Sequence, residues 1–434
     1  MRTLIFLALQ VAALGGGCYL LWRLRKSSAS LFWGIAIALA AGLAVAQLIF
    51  VQPGTLFEDF PVYWSAGKAV LSSPDQLLPM LRLGVEGGFV NLPVIAYLFA
   101  PLSVLPLDLA GWLFFVLGLA AVVAAWRIAG ELFQFDRLER AISLVVIGGF
   151  GPLWYSFREG NSSHFMLLTL LLALVALRKN QDVRAGLLLG VTGIIKPPLL
   201  LLCVYAAIRL RWGIVLGTAL VILAGVLASF AIFGIEPNLV WYDTNIGTFA
   251  REPIAAGNTH SIASTLARLY LGPDVISIWE PVSIPSFVRV LGLGLTALLG
   301  LLAIWAAAPW RRWFVGAREF ESDIALIVPL TLFVSTLSWT HYYSWLLLPA
   351  AWLWAQIRSA GATRLVQFAF AVVMLVCALA YVRGRPPEAA EPILHWLFAY
   401  LLLGGIALFA LLLWARRRIA EAEPGSALRE ARAS

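Results

Sequence analysis

Two adjacent acids, Glu58 and Asp59, directly follow an apolar stretch, in the segment V-Q-P-G-T-L-F-E-D-F-P-V-Y-W-S-A-G-K-A-V. A carboxylate held at a membrane boundary could act as a general base towards a hydroxyl group. Alternatively, both acids mark the end of a membrane helix and lie in water, where they cost little. Residues 62–71, after Pro61, are predicted to form a short amphipathic helix along the membrane surface, which would hold the acids there.

Lys196 precedes two prolines in an otherwise apolar run. The prolines are expected to divide residues 185–209 into two short or broken helices. An ammonium group in such a run needs an acid or a phosphate as a partner, unless its side chain extends to the membrane surface. Lys196 is therefore a candidate ligand for a phosphate.

Three further groups of polar residues lie in predicted turns on the same side as Asp59. They are the turn R-E-G-N-S-S-H, the long loop 234–285 and the segment S-W-T-H-Y-Y-S-W. Their candidate site residues are Arg158, Glu159, Asn161, His164, Asn238, Tyr242, Asp243, Arg251, Glu252, Asn258, His260, Arg268 and His341. Helix capping, turn formation and hydrogen bonds to backbone carbonyls are the alternative explanations for these residues.

Several familiar motifs are missing from the sequence. It contains no Walker-type loop, no H-E-x-x-H and no G-x-S-x-G. Cys18, Cys203 and Cys377 each stand alone in an apolar stretch, away from metal-ligand spacing. We therefore do not expect the protein to be powered by ATP.

The elements that must position these residues are membrane helices. The chain has 434 residues, is 61% hydrophobic and only 12% charged, and its mean hydropathy is +0.89, which excludes an ordinary soluble domain. Backbone polar groups in lipid must be satisfied within a helix or a closed barrel, so the predicted fold is an all-α polytopic membrane protein. Apolar helices are predicted at about 4–22, 31–51, 108–130, 141–157, 163–178, 213–233, 286–308, 323–338, 343–357, 364–382 and 392–414.

The charges of the loops predict an orientation. When the loops are assigned alternately to two sides, most of the 31 lysines and arginines fall on one side, which is therefore cytoplasmic. Those arginines are interpreted as topology signals and anchors for lipid headgroups. All four histidines fall on the opposite, external side, so a reaction site is expected there.

The domain organisation predicted from this topology is simple. Residues 1–415 form a single transmembrane domain, with a first external loop at about 52–107 and a long external loop at about 234–285. Residues 87–106 carry three prolines and are expected to form a bent or re-entrant segment of the first loop. Residues 416–434 are expected to form a disordered, basic cytoplasmic tail.

The order of the motifs resembles glycosyltransferase family 87, membrane enzymes of the GT-C fold typified by polyprenol-phosphate-mannose-dependent mannosyltransferases. The family's D-F-x-V-Y-x-x-A-G is similar to residues 59–67, its P-L-x-x-L-P to 101–106 and its G-Q or G-N turn to 160–161. Its A-G-L-L-L-G-x-x-x-x-x-K-P is similar to 185–197, its G-N-x-S to 257–261 and its S-W-x-H-(H/Y) to 338–342. The resemblance extends over roughly residues 55–415 and implies a GT-C-like fold of roughly 11–13 transmembrane helices with short interfacial helices in the external loops.

The resemblance also implies an activity. It is a hexosyltransferase that moves a sugar, mannose in the typical members, from a polyprenyl-phosphate donor to a hydroxyl of a lipid or glycan acceptor, with inversion at the anomeric carbon. Asp59 would be the base, and no metal ion or other cofactor is expected. The residues expected to bind substrate are Glu58, Tyr63, Lys68, Asn161, His164, Lys196, Arg251, Asn258, His260, Arg268 and His341.

The expected partners are the donor lipid, the acceptor and membrane lipids, without nucleic acid. The expected location is the inner (plasma) membrane of a bacterium, since the predominance of arginine over lysine is typical of GC-rich bacterial genomes. The site is expected to face the periplasm or exterior, as the loop charges predict. Two alternatives stay open. One is a GT-C relative with a different lipid-linked sugar donor, and the other is a secondary transporter or lipid flippase.

Overall fold

The chain is α-helical throughout the part described by the computed structural model, residues 2–50, 56–83, 87–311, 313–381 and 398–422. Within these ranges, β-structure is limited to two isolated bridges, Ile254 with Pro281 and Thr259 with Trp339. The all-α prediction is therefore confirmed.

Twenty α-helices are numbered here along the described residues. They are α1 (Arg2–Arg23), α2 (Ala29–Phe50), α3 (Phe60–Ser72), α4 (Leu78–Arg82), α5 (Ala96–Ser103), α6 (Leu107–Leu132), α7 (Arg137–Gly148), α8 (Gly151–Glu159), α9 (Ser163–Arg178), α10 (Asp182–Ile195), α11 (Leu201–Ile208), α12 (Trp212–Phe233), α13 (Ile235–Trp241), α14 (Thr248–Arg251), α15 (Ile262–Leu271), α16 (Ser286–Ala307), α17 (Ala317–Val334), α18 (Leu347–Ser359), α19 (Arg364–Ala378) and α20 (Tyr400–Ala422). Six 3-10 helices, at Pro74–Leu77, Pro93–Ile95, Pro197–Leu200, Pro273–Ser277, Pro309–Arg311 and Thr340–Leu346, and a π-helix at Tyr242–Gly247 join them.

Six of the described helices, α1, α2, α6, α12, α16 and α20, are long and apolar enough to cross a membrane. A crossing needs about 20 residues at a rise of 1.5 Å each, and these helices provide that length. The protein is therefore a multi-pass membrane protein. Several other predicted crossings are shorter apolar helices such as α9 and α19, so the count of 11–13 crossings stays a prediction.

The span predicted at 141–157 is divided into α7 and α8. Glycines allow this elbow to pack directly on its neighbours, because a Cβ on Gly148 would lie 2.3 Å from the Ala40 carbonyl oxygen and one on Gly151 would lie 2.5 Å from the Ala380 Cα. The buried amide of Gln10 donates to the Gly149 carbonyl at 2.8 Å. The elbow thus keeps its backbone polar group satisfied inside an apolar bundle.

The ends of many helices meet in a cluster of ion pairs at one end of the bundle. Asp323 of α17 accepts from Arg209, after α11, at 2.7 Å and from Arg416 of α20 at 2.8 Å. Arg178 of α9 pairs with Glu321 at 2.6 Å. The interpretation of these arginines as headgroup anchors is wrong for Arg209 and Arg416, because both are completely buried and bind a buried acid.

The C-terminal boundary also differs from the prediction. α20 continues to Ala422, so the tail predicted to be disordered from residue 416 is helical as far as Ala422. Arg416 belongs to the buried cluster, which explains why the helix continues past the apolar run. Residues 423–434 lie outside the described part of the chain.

The opposite end of the bundle carries short helices from the first loop. The helix predicted at 62–71 is confirmed as α3, and the bent segment predicted at 87–106 forms Pro93–Ile95 and α5. α5 packs tightly on α3, since a Cβ on Gly67 would lie 2.7 Å from the backbone of Phe99. The Ser103 hydroxyl fixes this contact by donating to the Trp64 carbonyl at 2.7 Å.

The two short helices predicted around Lys196 are also confirmed. α10 ends at Ile195, Pro197–Leu200 forms a 3-10 turn, and α11 follows to Ile208. Asp182 at the start of α10 pairs with Arg211, after α11, so the pair of helices returns to the end at which it began. Lys196 therefore lies at the tip of a helical hairpin, at the end of the bundle opposite to the ion-pair cluster.

Candidate active site

A cavity of about 310 Å³ opens between the first loop, the α8–α9 turn, the tip of the α10–α11 hairpin and the Thr340–Leu346 turn. Both acids of the E-D pair contribute to its wall, together with one lysine and many aromatic rings. The lining residues are Glu58, Asp59, Val62, Tyr63, Gly87, Gly88, Val90, Tyr155, Glu159, Asn161, Lys196, Asn258, Trp279, Trp339, His341, Tyr342 and Tyr381.

Backbone hydrogen bonds fix the position of Asp59. The amide of Phe57 donates to the Arg158 carbonyl at 2.6 Å, and the amide of Asp59 donates to the Glu159 carbonyl at 2.7 Å. These two bonds attach the first loop to the end of α8. Glu58 lies at the rim of the cavity, where Arg158 is 3.6 Å away.

The G-N turn that ends α8 requires its glycine. Gly160 has φ +68°, in the left-handed region, and a Cβ there would lie 2.6 Å from the Cβ of Phe60. Only glycine fits both the dihedral angle and the space. The turn thereby places Asn161 beside the start of α3, next to Asp59.

Asn161 connects the acid with the lysine. Its amide nitrogen donates to Asp59 Oδ2 at 2.8 Å, and its amide oxygen accepts from Lys196 Nζ at 3.0 Å. Lys196 Nζ also lies 4.8 Å from the ring centroid of Tyr342. A carboxylate and an ammonium group therefore face the same cavity, separated by one amide.

The environment shifts the acid–base behaviour of both groups, which lie outside the six long apolar helices. Burial raises the pKa of Asp59, although the hydrogen bond from Asn161 and the charge of Lys196 oppose this. Burial lowers the pKa of Lys196 to about 8, against the attraction of Asp59. Near neutral pH the lysine keeps its charge, and the acid is a stronger base than an ordinary aspartate.

A second part of the wall carries polar atoms that lack hydrogen-bond partners among the described residues. They are Oε1 of Glu159, Oδ1 of Asn258 and both ring nitrogens of His341. Burial and the charge of Lys196 lower the pKa of His341 well below its usual range, so its imidazole is neutral. A buried polar atom without a partner costs about 1–3 kcal/mol, which a bound ligand would recover.

Several predicted substrate ligands lie away from the cavity. Lys68 is exposed and stacks 4.8 Å from the Trp64 ring centroid. His164 is buried behind the wall, with its Nδ1 3.0 Å from the Ser156 hydroxyl. Its Nε2 would lie 2.4 Å from a Cβ on Gly118, so it fills space between helices.

The predicted ligands of the long loop also divide into two groups. Asn258 lines the cavity, whereas His260 Nε2 lies 3.1 Å from the Thr340 hydroxyl and Arg268 donates to the Thr259 carbonyl at 2.7 Å. His260 holds the loop against the segment that carries His341, whereas Arg268 binds carbonyl groups of the loop itself. The side chain of Arg251 lies outside the described part of the structure.

Comparison with known proteins identifies the family. The profile of the family described as Glycosyltransferase family 87 matches residues 89–336, more than half of the chain. The chain belongs to glycosyltransferase family 87. It is therefore a membrane glycosyltransferase, and the resemblance that its motifs indicated is confirmed.

Two relatives share the name "Polyprenol-phosphate-mannose-dependent alpha-(1-2)-phosphatidylinositol pentamannoside mannosyltransferase". The chain is 26% identical over 326 residues to the one from Mycolicibacterium smegmatis, covering 74% of each chain. It is 27% identical over 329 residues to the one from Mycobacterium tuberculosis, covering 74% of this chain and 71% of the relative. No solved structure gave a significant match.

Two site residues of this family 87 chain, Asp59 and His341, lie outside the matched range 89–336, so the match does not assign them a role. The structure nevertheless places both at the same cavity, with Tyr63, Asn161, Lys196 and Asn258. Sequence reasoning named Glu159 as a candidate in its turn without counting it among the substrate ligands, and it did not select Tyr155, Trp279, Trp339, Tyr342 and Tyr381. For Glu159 a signal existed, because this acid adjoins the G-N turn.

The described residues also bear on a metal site. Among them, no three His, Cys, Asp or Glu side chains are grouped so as to hold a metal ion. The expectation that the enzyme works without a metal ion or other cofactor stays a prediction.

Proposed function

We propose that this protein transfers a mannosyl group from a polyprenyl-phosphate donor to a hydroxyl group of a lipid or glycan acceptor, with inversion at the anomeric carbon and Asp59 as the general base. The observation that carries the proposal is the Asp59–Asn161–Lys196 arrangement, which offers a base and a cation to one cavity. The names of the two relatives support the donor.

The proposed step balances without a further reactant. The acceptor oxygen attacks the anomeric carbon while Asp59 takes the proton of the acceptor hydroxyl. The bond between the anomeric carbon and the phosphate oxygen breaks, and the phosphate leaves with the bonding electron pair. Attack opposite to the leaving group inverts the configuration of the anomeric carbon.

Lys196 is the proposed partner of the leaving phosphate. An ammonium group presents three donors and a positive charge to the oxygen on which negative charge develops. Asn161 fixes the ammonium group at 3.0 Å, so that little reorganisation is needed during the reaction. His341 and the rings of Tyr342 and Trp339 complete the wall on this side.

The proposed location is the external face of a bacterial inner membrane. The cavity lies at the end of the bundle opposite to the cluster of Arg178, Arg209 and Arg416. Because positively charged residues accumulate on the cytoplasmic side of membrane proteins, this arrangement favours a cavity that faces outwards.

The proposal is tested with purified protein and radiolabelled polyprenyl-phosphate mannose, in the presence of candidate phosphatidylinositol mannosides and glycans. We expect a labelled product whose new linkage has the anomeric configuration opposite to that of the donor, as measured by NMR. Product with the donor's configuration would contradict the single displacement. If the enzyme used only a polyprenyl-phosphate donor of another sugar, the proposal that it transfers mannose would be wrong. Flux of a substrate across the membrane of sealed vesicles, without any sugar transfer, would contradict the proposed reaction.

A further inference from the structure

Glu159 is the acid of the cavity whose role the proposed transfer leaves open. It ends α8, lines the cavity and is 6% exposed, yet its Oε1 has no hydrogen-bond partner among the described residues. A carboxyl group in this state is costly unless a ligand provides a partner.

Glu159 lies beside a hydrogen-bonded pair of side chains. The Asn258 amide donates to the Tyr155 hydroxyl at 3.2 Å, and the Tyr155 hydroxyl lies near enough to Glu159 to oppose the rise in the pKa of that carboxyl group. Because Tyr155 accepts from Asn258, its own proton is free to point at Glu159. Among the described residues, neither the amide oxygen of Asn258 nor Oε1 of Glu159 has a hydrogen-bond partner. Asn258 and Glu159 therefore present two buried oxygens to the cavity.

The chemistry of these oxygens selects the kind of group that they can bind. The amide oxygen of Asn258 only accepts hydrogen bonds, and an ionised phosphate ester offers only acceptors. A phosphate therefore fits the ammonium group of Lys196 and does not fit the amide oxygen of Asn258. Hydroxyl groups both donate and accept, so they fit both this amide oxygen and the carboxyl group of Glu159.

We propose that Glu159, with Tyr155 and Asn258, binds the hydroxyl groups of the transferred sugar and so determines which hexose the enzyme accepts. This inference rests on the proposed transfer and adds a specificity-determining side to the cavity. Lys196 and Asp59 would then act on the phosphate and the acceptor, while Glu159 acts on the sugar ring.

The surroundings of Glu159 keep its carboxyl group protonated at neutral pH. Burial, followed by the negative charges of Asp59 and Glu58, raises its pKa to about 8, and Tyr155 and Arg158 oppose the shift only partly. A protonated carboxyl group can donate one hydrogen bond and accept another, as a glutamine side chain also can. Glu159→Gln therefore preserves the proposed interaction, whereas Glu159→Ala removes it.

The test compares kcat/KM for polyprenyl-phosphate mannose and its 2-, 3-, 4- and 6-deoxy analogues in the full-length protein. We expect Glu159→Ala to lower kcat/KM for the mannose donor by roughly ten- to a hundredfold, and Glu159→Gln by less than about threefold. For at least one deoxy analogue, the wild-type enzyme should have a kcat/KM about tenfold lower than for the mannose donor. For the same analogue, Glu159→Ala should have nearly the same kcat/KM as for the mannose donor. Glu236→Ala is the control, since Glu236 is exposed and pairs with Arg82.

Two results would overturn the assignment. Equal losses in Glu159→Gln and Glu159→Ala would indicate that the charge of the carboxylate matters, and the same deoxy penalties in Glu159→Ala and wild type would indicate a purely structural role. If Glu159→Ala does not fold, Asn258→Ala tests the same wall with the same analogues, and unchanged penalties there also overturn the proposal. If the wild-type enzyme transfers the sugar and Asp59→Asn abolishes the transfer, either of these two results would contradict only the role of Glu159. A folded wild-type enzyme that uses no sugar donor would contradict the proposed function itself.

Discussion

At the scale of single residues, the site depends on how three neighbours share hydrogen bonds. Asn161 donates to Asp59 and accepts from Lys196, so the amide keeps an acid and an ammonium group apart. A direct ion pair would satisfy both charges and leave neither available to a substrate. The amide instead leaves one oxygen of Asp59 and the remaining protons of Lys196 available to the cavity.

The shifted pKa of Lys196 predicts a limit to activity at alkaline pH. Since its pKa is lowered to about 8, the ammonium form dominates below pH 8 and is lost above it, so transfer should decline above about pH 8. Acidification protonates Asp59, whose pKa is raised, so transfer should also decline as the pH falls, starting above the ordinary aspartate value of about 4. A bell-shaped profile of kcat/KM is the expected result.

Variants separate the titration of Lys196 from that of Glu159, because the pKa of Glu159 is raised to about 8 and that of Lys196 is lowered to about 8. Lys196→Met should reduce transfer about 10²- to 10³-fold, whereas Lys179→Met, at an exposed lysine, should have no effect. Lys196→Arg keeps its charge at every working pH and should raise the pH above which transfer declines. Glu159→Gln is measured in parallel, because it removes the other group that titrates near pH 8. An alkaline limit that persists unchanged in Lys196→Arg would show that this limit belongs to another group.

At the scale of elements, the site depends on short helices that end where side chains are needed. α8 stops at Glu159, α10 stops at Ile195, and α3 begins directly after Asp59. A Pro pair ends α10, and a glycine with positive φ ends α8. These interruptions place polar side chains at one end of an apolar bundle.

Gly160→Ala tests the G-N turn. A left-handed alanine costs about 1–2 kcal/mol, and its Cβ would also displace Phe60. The control is Gly361→Ala, at φ +55°, where a Cβ meets nothing within 4 Å. We expect the melting temperature in detergent to fall further for Gly160→Ala, with a loss of transfer that Gly361→Ala does not show. Equal melting temperatures and full transfer would contradict the role of the turn.

The sequence predicted some of these elements better than others. The prolines at 197–198 and the amphipathic spacing of residues 62–71 are local signals, so α3 and the break after Ile195 could be predicted. The hydrogen bond between Tyr155 and Asn258 depends on how distant segments meet, which no local pattern encodes. The family motifs gave Asp59, Asn161 and His341, since order along the chain is enough to recognise them.

At the scale of the whole molecule, the two ends of the bundle have opposite chemistry. One end buries arginines against acids, with Asp323 completely buried between Arg209 and Arg416. The other end contains the cavity with its acids, one lysine and neutral histidine. Loop charges could predict this division, but they could not predict that the arginines are buried, because burial depends on packing between helices distant in sequence.

The orientation of the molecule is tested by labelling single cysteines in spheroplasts, after replacement of Cys18, Cys203 and Cys377. Asp75→Cys lies exposed near the cavity end, and Lys179→Cys lies exposed at the opposite end. We expect a membrane-impermeant maleimide to label Asp75→Cys in intact spheroplasts and Lys179→Cys only after permeabilisation. The reverse pattern would contradict a cavity on the external face.

The most direct test of the central claim is the rate of mannosyl transfer by purified Asp59→Asn protein. Asparagine keeps the size of the side chain and cannot accept the proton, so we expect transfer to fall by roughly 10²- to 10⁴-fold at an unchanged melting temperature. Asp75→Asn, at an exposed acid of the same loop, should retain full activity. Full transfer by folded Asp59→Asn would contradict the assignment of Asp59 as the base.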